Sequence, residues 1–401
     1  MRIGVYFRET SPVAGGGHTF ETAIVRTVLA RRDRLRHQLV VLGPASPLLE
    51  EARAAGVATV AIPIEGAARA VARRPLLGHL ALATARQPLT RHRARTGLDR
   101  LVDGAGLDVL WCVGPDVPSL EIPYFVTVWD LQHRLHPFFP EVSAGGTWDR
   151  RERWYARVLQ RATRVVVGTT AGRDEVERFY GVPRDRMVIL PHPTPPIADL
   201  PADDHILAAR ADRPYLFYPA QLWPHKNHVA LLHAVRALED DHGVVVDLVL
   251  VGSDKGNRDH VERTARELGI AERVVLPGFV SSGELVALYR GALALVYPTY
   301  FGPENLPPLE AFALGCPVIA SDVSGAAEQL GDAAILVPPA DHRAIAAAIA
   351  RLVQEPGLRG QLIDRGRARA ARSTPETFVD GIIAALDSFE TTRATWPPAV
   401  H

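Results

Sequence analysis

Short apolar runs rich in valine, isoleucine and leucine recur along the chain and alternate with stretches of helical periodicity. In the first half these runs are IGVYF, LVVLG, VATVAIP, VLWCVG, YFVTVWD and RVVVGT, with MVILPHP closing the series. Strands separated by helix-length segments predict βαβ units built around a parallel sheet. The segment PHPTPPIADLPADD, Pro191–Asp204, then breaks the pattern. Dense in proline and acid and poor in periodicity, it suits an interdomain connection.

A second series follows at once: YLFYPA, VDLVLVG, RVVLPGFV, ALVYPT, PVIASD and AILVPP. Beyond it the chain is mostly helical, and the apolar spacing of ETFVDGIIAALDSFE fits a helix that packs back across the first half. The expected organisation is a Rossmann-like domain over residues 1–195, a linker over 196–210, a second Rossmann-like domain over 211–375, and a returning helical segment over 376–401. The fold class is α/β, with two doubly wound parallel sheets facing a central cleft. Ligands of such sheets bind at the carboxyl ends of the strands, so the cleft is the expected site.

Length agrees with this division, since 401 residues are many for one doubly wound domain and comfortable for two. With 47% apolar and 22% charged residues, the composition is that of a globular protein rather than a disordered or membrane-spanning one. A formal net charge of zero removes the overall pull expected of a dedicated nucleic-acid binder. MRIGVYF leads directly into the first apolar run without the regions of a signal peptide, which predicts a cytoplasmic protein. Cys112 and Cys316 stand alone in apolar segments and read as core residues, with neither a disulfide framework nor a zinc spacing. From Arg69 to Arg95, arginines alternate with leucines and alanines and no acid appears. That region reads equally as a basic surface able to approach the inner face of an anionic membrane or a phosphorylated acceptor and as an arginine-coated solvent face.

Candidate chemistry gathers after particular strands. Gly15, Gly16 and Gly17 follow the first strand and precede a helix, where backbone N–H groups and the helix dipole can meet a phosphate or a sugar hydroxyl. The same glycines could serve only a turn. An NAD site would want G-x-G-x-x-G and an acid near the end of the second strand, and the chain has GGGH and LVVLGPAS instead. In YPAQLWPHKNH, Lys226 comes just after the first strand of the second half, where it can meet a diphosphate. The only other lysine is Lys255. In YPTYFGPENLPPLEAFALGCPVIASD, a loop runs through Gly302 and Leu306 to a helix beginning near Pro307. Amides at that start can grip a donor phosphate or hexose, and Glu310, one turn in, can accept from two ribose hydroxyls.

Lys226, the PGFV turn at Pro277–Val280, NLPPLEA and SGAAE at Ser324–Glu328 follow one another in the order and spacing of family-4 retaining glycosyltransferases of GT-B fold, which this chain resembles over most of its second half. WDLQHRLHPFFPEVS and PAQLWPHKNH are similar to the polysaccharide and O-antigen mannosyltransferase-like branch. The resemblance implies a nucleotide-sugar donor, GDP-mannose-like ahead of UDP-sugars. The acceptor would be a glycan, lipid-linked or small-molecule hydroxyl, and no cofactor or metal would be needed; the chain contains no Asp-x-Asp motif. It implies that Lys226 contacts the diphosphate, that Glu310 contacts the ribose, and that Phe279 and Val280 flank the base. Gly16 and Gly17 would lie against the phosphates from the other domain, with Glu304, Asn305 and Leu306 in the donor loop.

Three positions depart from the family pattern. Gln221 stands where the family has arginine. Gly302 stands where it has the first acid of Glu-x7-Glu, with Glu304 displaced by two positions. Trp129 stands where many members have histidine, leaving Asp130 and His133 as candidates to orient the acceptor or stabilise the reacting sugar. An epimerase or phosphorylase on the same fold, and a nucleotide-sugar-binding protein without turnover, are the alternative readings.

Overall fold

Every apolar run named above is a strand in the computed structural model, which describes residues 1–8, 11, 15–63, 97–207 and 213–397. The Arg69–Arg95 region lies outside the described residues. The first half contributes β1 (Arg2–Tyr6), β2 (Gln38–Gly43), β3 (Ala58–Ala61), β4 (Val109–Cys112), β5 (Tyr124–Thr127), β6 (Arg164–Val167) and β7 (Met187–Ile189). The second contributes β8 (Tyr215–Pro219), β9 (Asp247–Val251), β10 (Val274–Gly278), β11 (Ala294–Tyr297), β12 (Val318–Ser321) and β13 (Ala334–Val337). All pairings are parallel, in the orders β3-β2-β1-β4-β5-β6-β7 and β10-β9-β8-β11-β12-β13.

Each sheet therefore reverses its direction of growth once, between β1 and β4 and between β8 and β11. Adjacent loops splay apart there and leave a crevice at the carboxyl ends. Both faces of each sheet are covered, which is why the strands read as continuous apolar runs rather than alternating ones. On one face of the first sheet, Ile3, Val5, Val41, Trp111 and Phe125 pack against the helix Gly16–Arg31. On the other, Tyr6, Leu42, Leu110, Tyr124 and Val126 pack against the helix Thr147–Arg161 through Val158 and Leu159. The two free cysteines are buried.

The helix Pro375–Arg393 follows the second half in sequence and joins the core of the first. Thr374 caps it, and Phe378, Val379, Ile382, Leu386 and Phe389 all bury against the first-half cluster. Full burial of each such side chain is worth roughly 1.5–3 kcal/mol. At its far end His37 meets Asp387 at 2.7 Å and the terminal amine of Met1 meets Glu390 at 3.2 Å. The chain thus crosses between halves twice, and the crossings are tied together. Thr194 N–H donates to the Ser373 carbonyl at 2.7 Å, its hydroxyl to the Ala370 carbonyl at 3.1 Å, and the Ser373 hydroxyl to the His192 carbonyl at 3.1 Å.

Candidate functional site

The second sheet's crevice is built by the loops after β8 and β11. After β8 the chain passes Gln221 and makes a tight turn at Pro224–Lys226, and Asn227 adopts a left-handed backbone (φ 58°) to enter the helix His228–His242. The Asn227 side-chain amide holds that turn in place by donating to the carbonyls of Pro298 (2.9 Å) and Pro339 (2.7 Å). Lys226 is half-buried, and its Nζ donates to the Tyr297 hydroxyl at 3.0 Å. Tyr297 in turn donates to Asn305 Oδ1 at 3.1 Å. Asn305 completes the loop with a bond to the Gly302 carbonyl (2.9 Å) and a reciprocal pair with Gln329, each 2.9 Å. Lys226 and the Gly302–Asn305 loop are therefore one hydrogen-bonded unit.

This geometry accounts for Gly302. Its φ of 133° belongs to the region glycine tolerates, and a Cβ there would press into the Asn305 side chain at 2.6 Å. A glutamate at this position would be incompatible with this loop. Glu310 lies in the helix Leu306–Leu314, 8% exposed, and accepts from the Tyr289 hydroxyl at 2.7 Å. Burial pushes its carboxyl up and the tyrosine bond opposes that. One hydroxyl does not saturate a carboxylate, which has acceptor capacity for further donors. Phe279, 58% exposed, and Val280 follow β10 at the edge of the same sheet.

From the first half, the glycine turn after β1 faces this unit. A Cβ on Gly16 would stand 3.6 Å from Leu306 Cδ1, and one on Gly15 3.8 Å from Gln221 Nε2. The helix begins at Gly16, so the amides of Gly16 and Gly17 are among its free first-turn donors. Trp129 and Asp130 follow β5. Asp130 is ion-paired with Arg151 and accepts from Gln132 N–H at 3.0 Å. Burial pushes its carboxyl up, but the Arg151 charge and these hydrogen bonds outweigh it and hold it below its ordinary value.

The structure buries His133 in the first half. His133 is fully buried, stacked on Tyr155 (5.6 Å between ring centres), with Nε2 3.0 Å from the Tyr180 hydroxyl and 3.3 Å from Glu152. Burial, helped by the Arg151 charge, lowers its pKa to about 4. The short helix Gln132–Leu135 turns this residue inward, so the role expected of it at the acceptor is corrected to one of internal packing.

The two halves meet across the crevice. Glu304, its side chain 4% exposed, accepts the His192 N–H at 2.6 Å and lies over Gly168, at the end of β6. Burial pushes its carboxyl up to about 8, against the pull of the His192 N–H and with help from the Glu328 charge. Glu328 accepts the N–H groups of Thr170 (2.7 Å) and Ala171 (2.9 Å), at the start of the helix Thr170–Tyr180. The Ser324 hydroxyl donates to Glu175 at 2.8 Å, and Glu141 binds the ring and the N–H of His225. His136 and Phe139 pack against Phe301 and Tyr300. Between Trp129, Asp130, Gly168, Glu175 and Glu304 only about 10 Å³ remains.

Sequence reasoning missed Asn227, Tyr297, Gly168 and His192. For Tyr297, Gly168 and His192 the shared signal was position at or just after the carboxyl end of a predicted strand, where α/β sheets place ligands, whereas Asn227 caps the helix that follows β8.

Residues 201–369 match the family of glycosyl transferases group 1, on the half that carries the sequence resemblance. The chain is 29% identical over 241 residues to the D-inositol 3-phosphate glycosyltransferase of Acidothermus cellulolyticus, covering 57% of this chain and 54% of that one. It is 31% identical over 221 residues to the O-antigen chain mannosyltransferase B of Escherichia coli, covering 53% and 57%. It thus spans about half the length of the curated relatives it matches. A crystal structure of Anabaena HepE in complex with UDP-glucose superposes with a TM-score of 0.66 over 96% of this chain and 99% of that one, at 16% identity. The fold is GT-B.

Proposed function

We propose, from the glycosyl transferases group 1 domain that residues 201–369 form, that this chain transfers a hexose from a nucleotide-diphosphate sugar to an acceptor hydroxyl with retention of configuration. The observation that carries this reading is the Lys226–Tyr297–Asn305 unit, set at the switch crevice of the second sheet opposite the Gly16 helix start. A GDP-mannose-like donor is favoured by the similarity to a mannosyltransferase, and a UDP-sugar is the second choice because HepE is a structural neighbour in complex with UDP-glucose.

The chemistry follows from charge and position. The bond between the anomeric carbon and the diphosphate oxygen breaks, and the bond to the acceptor oxygen forms on the same face. The acceptor proton passes to the departing phosphate. Lys226, the Gly16 and Gly17 amides and the single Leu306 amide, the next two helix residues being prolines, stabilise the growing phosphate charge, which is the main electrostatic task and needs no metal ion. Glu310 orients the ribose, and Asp130, held ionised by Arg151, faces the reacting sugar. Closure of the halves excludes water, favouring transfer over hydrolysis.

The test is release of nucleoside diphosphate from a nucleotide-sugar panel, with and without acceptor and with and without EDTA. Acceptor-dependent release that survives chelation and yields a product of the donor's anomeric configuration is expected. Inversion, or release blocked by EDTA and restored by a divalent ion, would overturn the mechanism.

A further inference from the structure

Beside the donor crevice, a second recess of about 230 Å³ opens on the first half, between the loop after β4 and the helix Thr147–Arg161. Trp129, Trp154 and Tyr155 form its walls, with Asp116, Asp130 and Arg151 among them. Trp129 and Asp130 also line the narrow gap that reaches Pro303 and Glu304, so the recess is contiguous with the donor loop of the opposite half. Its lining carries two carboxylates, Asp116 and Asp130, against one cation: Arg151 is ion-paired with Asp130, and Arg8, outside the lining, reaches Asp116 at 2.6 Å. The walls are held in place, since Trp154 donates to the Pro115 carbonyl at 3.1 Å and the Arg151 guanidinium lies 5.8 Å from the Tyr155 ring centre.

Resting on the transfer reading above, we infer that this recess takes a single uncharged sugar ring of the acceptor and discriminates against phosphorylated acceptors. Indole and phenol faces offer apolar area to the C–H face of a pyranose. Asp116 and Asp130 offer acceptor oxygens to its hydroxyls. A phosphate, by contrast, would enter a site whose one lining cation, Arg151, is already paired with Asp130 and would meet two carboxylates, a like-charge juxtaposition that selects against it. The volume lies below the roughly 300–1,000 Å³ of sites that enclose drug-sized ligands, which fits one ring rather than a chain.

The test is a ligand-observed NMR titration of the full chain saturated with GDP or UDP, using methyl α-mannopyranoside and methyl α-glucopyranoside against the corresponding hexose 6-phosphates. The neutral glycosides should bind at least tenfold more tightly than the phosphates. Trp154→Leu, with its fold checked by thermal midpoint, should lose glycoside binding. Asp116→Asn removes one carboxylate and should narrow the preference at least threefold. Phosphates that bind as well as the glycosides, glycosides that do not bind, or an unchanged preference in Asp116→Asn would each overturn the inference. Thermal shifts with nucleotide-sugars on the same preparations separate the two claims: donors that bind while glycosides do not sink only this one, whereas donors that fail to bind sink the transfer reading.

Discussion

The carboxylate of Glu304, in the second half, occupies the space that a Cβ on Gly168, in the first, would fill. Gly168 ends a strand and Glu304 sits in the loop after another, so their contact exists only while the halves are closed. Gly168→Ala should therefore disfavour closure. We expect a larger radius of gyration by small-angle scattering and a loss of about tenfold or more in kcat/KM, with recovery in the Gly168→Ala, Glu304→Ala double variant. Unchanged compactness and activity in the single variant would contradict the closed contact.

Glu304 also makes the closed protein sensitive to pH. Burial raises its carboxyl from an ordinary 4.5 to about 8, so the native protein binds the extra proton between those values. The associated stability is fully present below about pH 4.5 and is lost as pH rises through about 8. Thermal midpoints measured from pH 5 to 9 should fall more steeply for the native protein than for Glu304→Gln. Parallel curves would show that this carboxyl does not govern the dependence.

The central strands were legible because each is an apolar run long enough to be buried on both faces, as IGVYF and VLWCVG are. The places of Lys226, in the turn after a strand, and of Glu310, one turn into a helix, were legible because both stand at fixed offsets from strand and helix starts. The meaning of Gly302 was not, because it depends on Asn305 filling the space beside it. His133 misled for a related reason: adjacency to Asp130 in sequence does not fix direction, and the short helix Gln132–Leu135 turns the imidazole into the core. Contacts such as Glu328 on the amides of Thr170 and Ala171 join the two halves, and no local pattern encodes them.

Glu310→Gln keeps an acceptor for the Tyr289 hydroxyl and removes the charge offered to the ribose. Hydrogen bonds to charged groups contribute about 1.5–3 kcal/mol, so donor KM should rise roughly 10- to 100-fold while kcat changes little. Steady-state kinetics with varied donor check this. A fall in kcat at constant donor KM would place Glu310 elsewhere in the mechanism.

Ile382 is fully buried and belongs to the cluster that joins the helix Pro375–Arg393 to the first half. Ile382→Ala should cost about 2–5 kcal/mol of unfolding free energy. Urea denaturation checks the magnitude, and a cost under about 0.5 kcal/mol would mean that this helix is not part of that core.

The central claim is that Lys226 anchors the diphosphate of a nucleotide-sugar in this crevice. Calorimetric titration of a GDP- and UDP-sugar panel into the native protein and Lys226→Ala tests it most directly. The account predicts one-to-one binding of a nucleotide-sugar by the native protein and affinity at least tenfold weaker in the variant. Equal affinity in the two proteins, or no nucleotide-sugar bound by either, would contradict it.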